Sequence, residues 1–401
     1  MKLRVFVLPS LILTSAFALG MTSGPAPETE KQEQGRSSTL VSSQQPAGTV
    51  HLSLSNEAES AINRGLDWLA KRQKQNGAWS NEKFPALTAL AMQSFLNVSY
   101  QGKERIIGKA VNFILSCVQE DGGIYREVSG RKGGGLSNYN TAICMTALHK
   151  TGDKELVPVI LEAREFIAGS QHFGGDIYEG GFGYDRSTKR AYADLLNTYY
   201  AATAMAETRK LEDKRPSVDK RVSVDWAKTV KFIEQMQNKP ETGDDAGGFF
   251  YKPGQSKAGT RTNAQGSVVF RSYGSMTYAG MLALIYADVS RDDVRVRSAF
   301  DWAVNHWGLR ENPGMGNQGL YFFYNVLTRA LDAYGAEAIP LPSGKTLNWR
   351  EETVKALVSR QIIDPDTGHG YWKNTKGRYW ENDPVLCTSY SIIALKTLVN
   401  P

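Results

Sequence analysis

Aromatic, amide and charged side chains stand at the starts of several long apolar segments of the sequence. Their π faces could stabilise a carbocation, or could stack on sugar rings while the acid, amide and guanidinium groups supply hydrogen bonds. They could equally fill a protein interior in which their polar tips find backbone partners. The predicted site residues are Tyr139, Asn140, Tyr192, Asp194, Asn197, Arg271, Tyr273, Tyr321, Trp380 and Asp383.

Asp194 is the single candidate for a catalytic residue. It directly precedes an apolar segment, so its carboxylate is predicted either to cap a helix or to face a cavity. Arg271 occupies a comparable place before a later segment. If both side chains faced one axis, the two would pair and give a cavity one polar wall.

Groups that could bind a metal are few and scattered. Cys117, Cys144 and Cys387 suit neither a disulfide framework nor a zinc finger. The acidic pairs at 244–245 and 292–293 each lack the third carboxylate of a metal site, and the second pair suits a helix start. We therefore predict no metal and no cofactor.

Composition excludes several classes of protein. The chain has 401 residues, of which 41% are hydrophobic and 10% aromatic, which excludes collagen-like, disulfide-scaffold and wholly disordered proteins. Its net charge of +6 is modest, and no run of five or more basic residues occurs. Nucleic acid is therefore not a predicted partner.

The N-terminal residues have the pattern of a secretory signal peptide. Lys2 and Arg4 precede an apolar run, and Ala18 and Gly20 are small residues at a plausible cleavage point. Residues 1–20 are predicted to be removed on export to the periplasm or the exterior, or else to stay as a membrane anchor. Residues 21–53, which are rich in Pro, Ser and Gln, are predicted to be a disordered linker.

The remaining sequence, residues 54–401, repeats a helical unit and is predicted to be one domain. A segment of helical period usually ends in Gln and leads to a glycine turn that an aromatic residue closes; the turns are Gly77–Trp79, Gly122–Tyr125, Gly180–Tyr184, Gly247–Tyr251 and Gly368–Trp372. A fifth unit departs from this pattern, since it has no Gln and its turn is Gly314–Gly316.

A second repeated signal has fixed spacing. A Thr is followed six residues later by a small and then an apolar residue, within segments that are apolar nearly all round. The repeated positions are Thr88, Thr141, Thr198, Thr277 and Thr388, with Tyr324 in place of Thr in the fifth unit. The pattern indicates six pairs of one outer and one inner helix. Because the last inner segment is as apolar as the middle ones, we predict an all-α fold, an α/α toroid.

The repeats resemble the prenyltransferase and squalene-oxidase repeat family, which includes squalene/hopene cyclases and protein prenyltransferases. The resemblance covers about residues 55–399, and its most specific pieces are Gly180–Tyr184, Asp194–Thr198 and Asn138–Ala142. It implies the fold of a terpenoid cyclase. It implies less about activity, because function depends on sites.

The catalytic groups of that family are not matched. Its cyclases protonate an alkene with Asp-x-Asp-Asp-Thr; the nearest run keeps the first acid as Asp194 but has Leu196 at the central position. Its protein prenyltransferases bind zinc, for which Cys387 is the one plausible ligand, and a small buried hydrophobe is the alternative interpretation of that residue.

Three functions follow as expectations. The first is binding or transformation of an isoprenoid or other hydrophobic ligand in a central cavity, by residues other than the family acid. The second is a non-catalytic binding or scaffold toroid of the cell envelope. The third is a toroid that binds or cleaves glycans. A small hydrophobic molecule or a glycan is thus the predicted partner.

Overall fold

The computed structural model describes residues 49–128, 135–186, 191–215, 217, 220–263 and 265–399. The predicted signal peptide and nearly all of the predicted linker lie outside these residues. The first helix begins at Leu52, two residues before the predicted domain boundary. The backbone before it is already bound to the domain, since Asn348 Nδ2 donates to Thr49 O (2.7 Å).

Six helices form an inner layer. Their residues are buried nearly all round, as in the segment Pro85–Phe95, where every residue is buried. The inner helices are α2 (Pro85–Phe95), α4 (Ser137–Lys150), α6 (Leu195–Glu207), α8 (Gly274–Tyr286), α10 (Leu320–Tyr334) and α12 (Pro384–Val399).

Six further helices form an outer layer and bury one face only. In the first of them the buried residues recur at helical spacing, as at Ala58, Ile62, Leu66 and Leu69. The outer helices are α1 (Leu52–Ala70), α3 (Lys103–Leu115), α5 (Val157–Ala168), α7 (Trp226–Glu234), α9 (Val294–Asn305) and α11 (Trp349–Val358).

The inner helices close into a ring. Each contacts the next in chain order from α2 to α12, and α12 contacts α2. The outer layer closes at the same seam, because α1 packs against both α11 and α12. The predicted α/α toroid of six helix pairs is therefore confirmed.

The ring also carries short strands and 3₁₀ turns. Within the described ranges there are three two-stranded antiparallel hairpins: β1 (Thr260–Thr262) with β2 (Val268–Phe270), β3 (Ile339–Pro340) with β4 (Thr346–Leu347), and β5 (Ile362–Ile363) with β6 (Gly370–Tyr371). Short 3₁₀ turns span Lys154–Leu156, Arg209–Lys214, Pro240–Asp245 and Arg378–Trp380. Of the helices that the structure describes, none is long and apolar enough to cross a membrane.

The repeated Thr has a structural role. In five units its hydroxyl accepts a hydrogen bond from the backbone N–H of the glycine turn, at 2.8–3.1 Å. In the fifth unit, where Tyr324 replaces Thr, the phenol donates to Leu309 O instead. The fixed spacing of the repeated Thr in the sequence therefore marks the residue of the inner helix that binds the glycine turn.

In four units the repeated Gln binds the next outer helix, whereas Gln119 Nε2 donates to Cys117 O and Tyr125 O near its own turn. Gln73 Nε2 donates both to Gly77 O (3.1 Å) and to Ile106 O in α3 (2.9 Å). Gln237 Nε2 likewise donates to Gly247 O and to Arg295 O in α9. The sequence signal of Gln, Gly and aromatic residue is therefore a junction between consecutive repeats.

Glycine is required at this junction for two reasons. Gly77 has φ of 89°, and a Cβ there would lie 2.0 Å from Lys109 O on α3. Gly102, at the start of the same helix, also has positive φ (77°), but a Cβ there would meet no atom within 4 Å. Substitutions at the two positions therefore distinguish the free-energy cost of a left-handed backbone from the cost of a steric clash.

We expect Gly102→Ala to lower the free energy of unfolding by about 1–2 kcal/mol, the cost of left-handed backbone for an L residue. Gly77→Ala should lower it by about a further 1–3 kcal/mol because α3 must move away from the turn. Urea denaturation of both variants measures the difference. Equal losses would show that the turn does not depend on contact with α3.

Candidate functional site

The central cavity lies at the N-terminal ends of the inner helices. All six contribute to its wall within their first two turns, through Ala86, Tyr139, Leu196, Met276, Phe322 and Leu386. An inner compartment of about 160 Å³ and an outer compartment of about 680 Å³ share several wall residues. The shared residues are Tyr139, Tyr184, Leu196, Tyr251, Lys257 and Tyr379.

Tyrosine rings make up much of the inner wall. Tyr139 and Tyr200 pack edge to face with ring centroids 5.1 Å apart, and the hydroxyls of Tyr200 and Tyr390 lie 3.2 Å apart. Burial raises the pKa of all three phenols above the ordinary value. These three phenols therefore present neutral aromatic groups to the inner compartment.

Asp194 caps α6 and is fully buried. Its Oδ1 accepts from Asn197 N (2.9 Å), and its Oδ2 accepts from Asn197 Nδ2 (2.8 Å) and from Tyr251 OH (3.0 Å). Burial raises the pKa of the carboxyl above its usual value, although these hydrogen bonds act in the opposite direction. Asp194 therefore caps the helix, and its carboxyl also contacts Tyr251 of the cavity wall.

Tyr251 links the buried acid to the cavity. Its hydroxyl lies 2.7 Å from the hydroxyl of Tyr192 and 3.4 Å from that of Tyr184. Burial, followed by the nearby Asp194 carboxylate, raises the pKa of Tyr251 and Tyr192. The three phenols form a neutral chain of hydroxyls between Asp194 and both compartments.

Several predicted site residues have structural partners and do not line the cavity. Asn140 is buried, where its Oδ1 accepts from Ala86 N (3.1 Å) and its Nδ2 donates to Gly135 O (2.8 Å). Asp383 Oδ1 accepts from Val385 N (2.9 Å) at the start of α12. Asn140 and Asp383 therefore hold helix ends together.

Arg271 does not pair with Asp194. It is exposed just after β2, and its backbone N–H donates to Gly259 O (3.0 Å). The polar wall is expected only if both side chains face one axis, and Arg271 is not among the residues that line the cavity. Tyr321 is buried in α10 and lies outside the cavity wall.

Cys387 is packed as a buried thiol. It donates to Glu381 O (3.1 Å), and burial raises its pKa. No cluster of three or more His, Cys, Asp or Glu that could hold a metal occurs among the described residues. Cys117 and Cys144 are likewise buried free thiols.

A strained turn forms part of the cavity rim. Tyr379 and Trp380 both have left-handed backbone, with φ of 60° and 66°. Trp380 packs edge to face on Phe84 at 4.5 Å, and the neighbouring Glu381 accepts from Phe322 N (2.8 Å) at the start of α10. The surrounding structure therefore holds the strained turn against the cavity.

The structure brings Tyr139, Tyr192, Tyr273 and Trp380 together in the cavity wall, in addition to residues that the sequence did not single out. Tyr184 and Tyr251 were recognisable, since each follows the first glycine of its turn by four residues. Lys257 had no such signal, because it lies in the long insertion between α7 and α8.

Comparisons with known proteins support the fold. No protein family model matches the chain, and no curated protein sequence is detectably similar. A type II terpene cyclase from Scytonema, in complex with its substrate geranylgeranyl dihydroxybenzoate, is similar in structure with a TM-score of 0.50 at 11% identity, over 87% of this chain and 98% of that one. This likeness confirms, at the level of fold, the predicted resemblance to terpenoid cyclases.

Sugar-active proteins are also similar in structure. Cellobiose 2-epimerase from Bacillus thermoamylovorans has a TM-score of 0.49 at 12% identity, over 86% of this chain and 98% of that one. A GH76 α-mannanase from Bacteroides thetaiotaomicron has a TM-score of 0.48 at 11% identity, over 84% and 95%. At such identities function must be argued from the cavity itself.

We expect Asp194→Asn to change how stability depends on pH. The native pKa of the Asp194 carboxyl lies above its unfolded value near 3.8. In the wild type, the contribution of this carboxyl to the free energy of unfolding is therefore complete below that pH and is lost as pH rises through the native pKa. The variant should therefore gain stability relative to the wild type as pH rises above about 4, by at most about 1.4 kcal/mol per pH unit.

Urea denaturation at a series of pH values measures this difference. Asp366→Asn, at an exposed turn, is the matched control and should keep a constant offset from the wild type. If the Asp194→Asn variant instead lost stability relative to the wild type as pH rises, the native state would favour the anion, contrary to the burial argument.

Proposed function

We propose that the toroid binds one small hydrophobic molecule of isoprenoid type in its central cavity. The observation that carries this proposal is the wall itself, in which rings and aliphatic side chains from all six inner helices face one axis. The outer compartment, at about 680 Å³, has the volume of a typical small-molecule site, about 300–1,000 Å³. Burying an apolar ligand there gains the hydrophobic free energy of both surfaces.

The position of Leu196 supports the same ligand class. It aligns with the central acid of the family's cyclase motif, and it lines both compartments. An apolar side chain at that place cannot protonate an alkene, but it adds apolar surface for a ligand. The proposal is therefore one of binding, and catalysis by the family's acid is not part of it.

A glycan is the weaker candidate on the same geometry. A sugar needs several free donors and acceptors, and Asn140, Asp194 and Asp383 are already bonded to backbone or to a neighbouring side chain. The amide oxygens of Asn138 and Asn197 have no partner among the described residues, but both residues are buried outside the cavity wall. Arg271, which would have completed a polar wall, is exposed outside the cavity.

We expect farnesol to bind with a stoichiometry of one and cellobiose not to bind. Leu196→Gln should weaken farnesol binding by about tenfold to a hundredfold, since a buried leucine is worth about 1.5–3 kcal/mol. Isothermal titration calorimetry with both probes measures these affinities. The assay addresses the cavity because Leu196 is half-buried and lines both compartments.

The matched control is Leu52→Gln, because Leu52 is 69% exposed on α1. This variant should bind farnesol like the wild type. Binding of cellobiose in preference to farnesol would support the glycan alternative. Binding of neither probe would leave the scaffold alternative.

We also propose that the chain is exported, on the basis of Lys2, Arg4 and the apolar run that follows them. N-terminal sequencing of the protein recovered from its host is expected to start at Met21, directly after Gly20. A chain that starts at Met1 and is found with the membranes would show instead that the segment is retained as an anchor.

A further inference from the structure

Three cationic side chains surround the cavity where it opens. Lys257 lines both compartments, and its Nζ lies 4.4 Å from the ring centroid of Tyr251. Lys252 Nζ lies 4.7 Å from the ring centroid of Tyr192. Arg378 lies over the ring of Tyr379 at 5.1 Å. Each cation thus rests on a tyrosine that belongs to the cavity wall.

These three cations form no ion pair within the described part of the chain, unlike several cations elsewhere on the ring. Across the described ranges, Arg164 pairs with Glu212, Lys228 with Glu179 and Arg295 with Asp293 and Glu234. No described carboxylate forms an ion pair with Lys252, Lys257 or Arg378. The best-defined side-chain partner of Arg378 is neutral, Gln318 Oε1 at 2.7 Å.

The three charges are close enough to act on one another. Burial lowers the pKa of Lys257, and Arg378 and Lys252 lower it further by repulsion. Several acids are nearby. Glu381, beside the strained turn, is buried and accepts from Phe322 N (2.8 Å). Asp194 is buried behind Tyr251, and Asp185 in the outer wall accepts from Ser137 N (2.9 Å) and has further contacts. An added anion would relieve the repulsion among the cations.

The backbone adds further positive electrostatic potential at the cavity. The inner helices run parallel, so that their N-terminal ends, which carry partial positive charge, all border the cavity. The floor of the site is aromatic and its entrance is cationic. A site with an apolar floor and a cationic entrance suits a molecule with one apolar end and one anionic end.

We propose that the cavity ligand carries an anionic headgroup, a carboxylate or a phosphate, which Lys252, Lys257 and Arg378 bind while the apolar chain lies among the tyrosines. This inference rests on the proposed function, because it presumes that the cavity takes an apolar chain. It narrows the ligand class from hydrophobic molecules in general to anionic amphiphiles.

The test compares dodecyl phosphate, dodecanol and inorganic phosphate by isothermal titration calorimetry, with dodecyl phosphate below its critical micelle concentration and dodecanol below its solubility limit. The full chain is expected to bind dodecyl phosphate at least about tenfold more tightly than dodecanol, since charge-assisted hydrogen bonds are stronger than those between neutral groups. The preference should fall as salt is raised, because the cations are not fully buried.

Lys257→Gln should reduce the ratio of the two affinities to within about threefold. The ratio compares two probes on the same protein, so any general loosening of the cavity affects both. Lys345→Gln, which removes an exposed lysine between β3 and β4, is the matched control and should keep the full ratio.

Each other outcome overturns a distinct statement. Equal affinity for dodecyl phosphate and dodecanol would overturn the headgroup and leave the hydrophobic cavity in place. Inorganic phosphate binding as tightly as dodecyl phosphate would assign the cations to a free anion. Binding of neither amphiphile would overturn the proposed function as well.

Discussion

The structure depends on the contact between a glycine turn and the outer helix of the next repeat, which recurs at Gly77, Gly122, Gly180 and Gly247. At Gly77 the turn approaches the carbonyl of Lys109 so closely that no side chain fits. The amide of Gln73 then bridges the turn and the outer helix, and the hydroxyl of Thr88 accepts from Trp79 N on the inner side. Because this junction recurs, it sets the step between repeats. Where the ring closes, Gln361 Nε2 donates to Ala61 O of α1.

The same constraint decides which groups face the axis. Short inner helices packed side by side need caps at ends that are buried, and the nearby acids and amides supply them. Asp194 caps α6, Asp383 caps α12 and Asn140 accepts from the start of α2. Larger side chains of the first two helical turns, such as Tyr139 and Phe322, remain to fill the axis together with tyrosines of the glycine turns, such as Tyr184 and Tyr251. An aromatic cavity is thus a consequence of how the ring is capped.

The fold could be predicted from the sequence because the junction residues have fixed spacing. The cavity wall could be predicted only in part. Inner helices such as α8 are buried on every side, so no amphipathic face marks the axis, and Tyr139 could not be told from Asn140. Arg271 and Lys257 lie in an insertion without a repeat pattern, where only the folded chain shows that one is exposed and the other lines the cavity.

The central claim is that the cavity holds an apolar molecule. Native mass spectrometry of the protein purified from its host without detergent tests this claim most directly. We expect a population heavier than the chain by one small molecule that partitions into organic solvent after denaturation. A bound carbohydrate that stays in the aqueous phase, or the mass of the chain alone in every preparation, would contradict the claim.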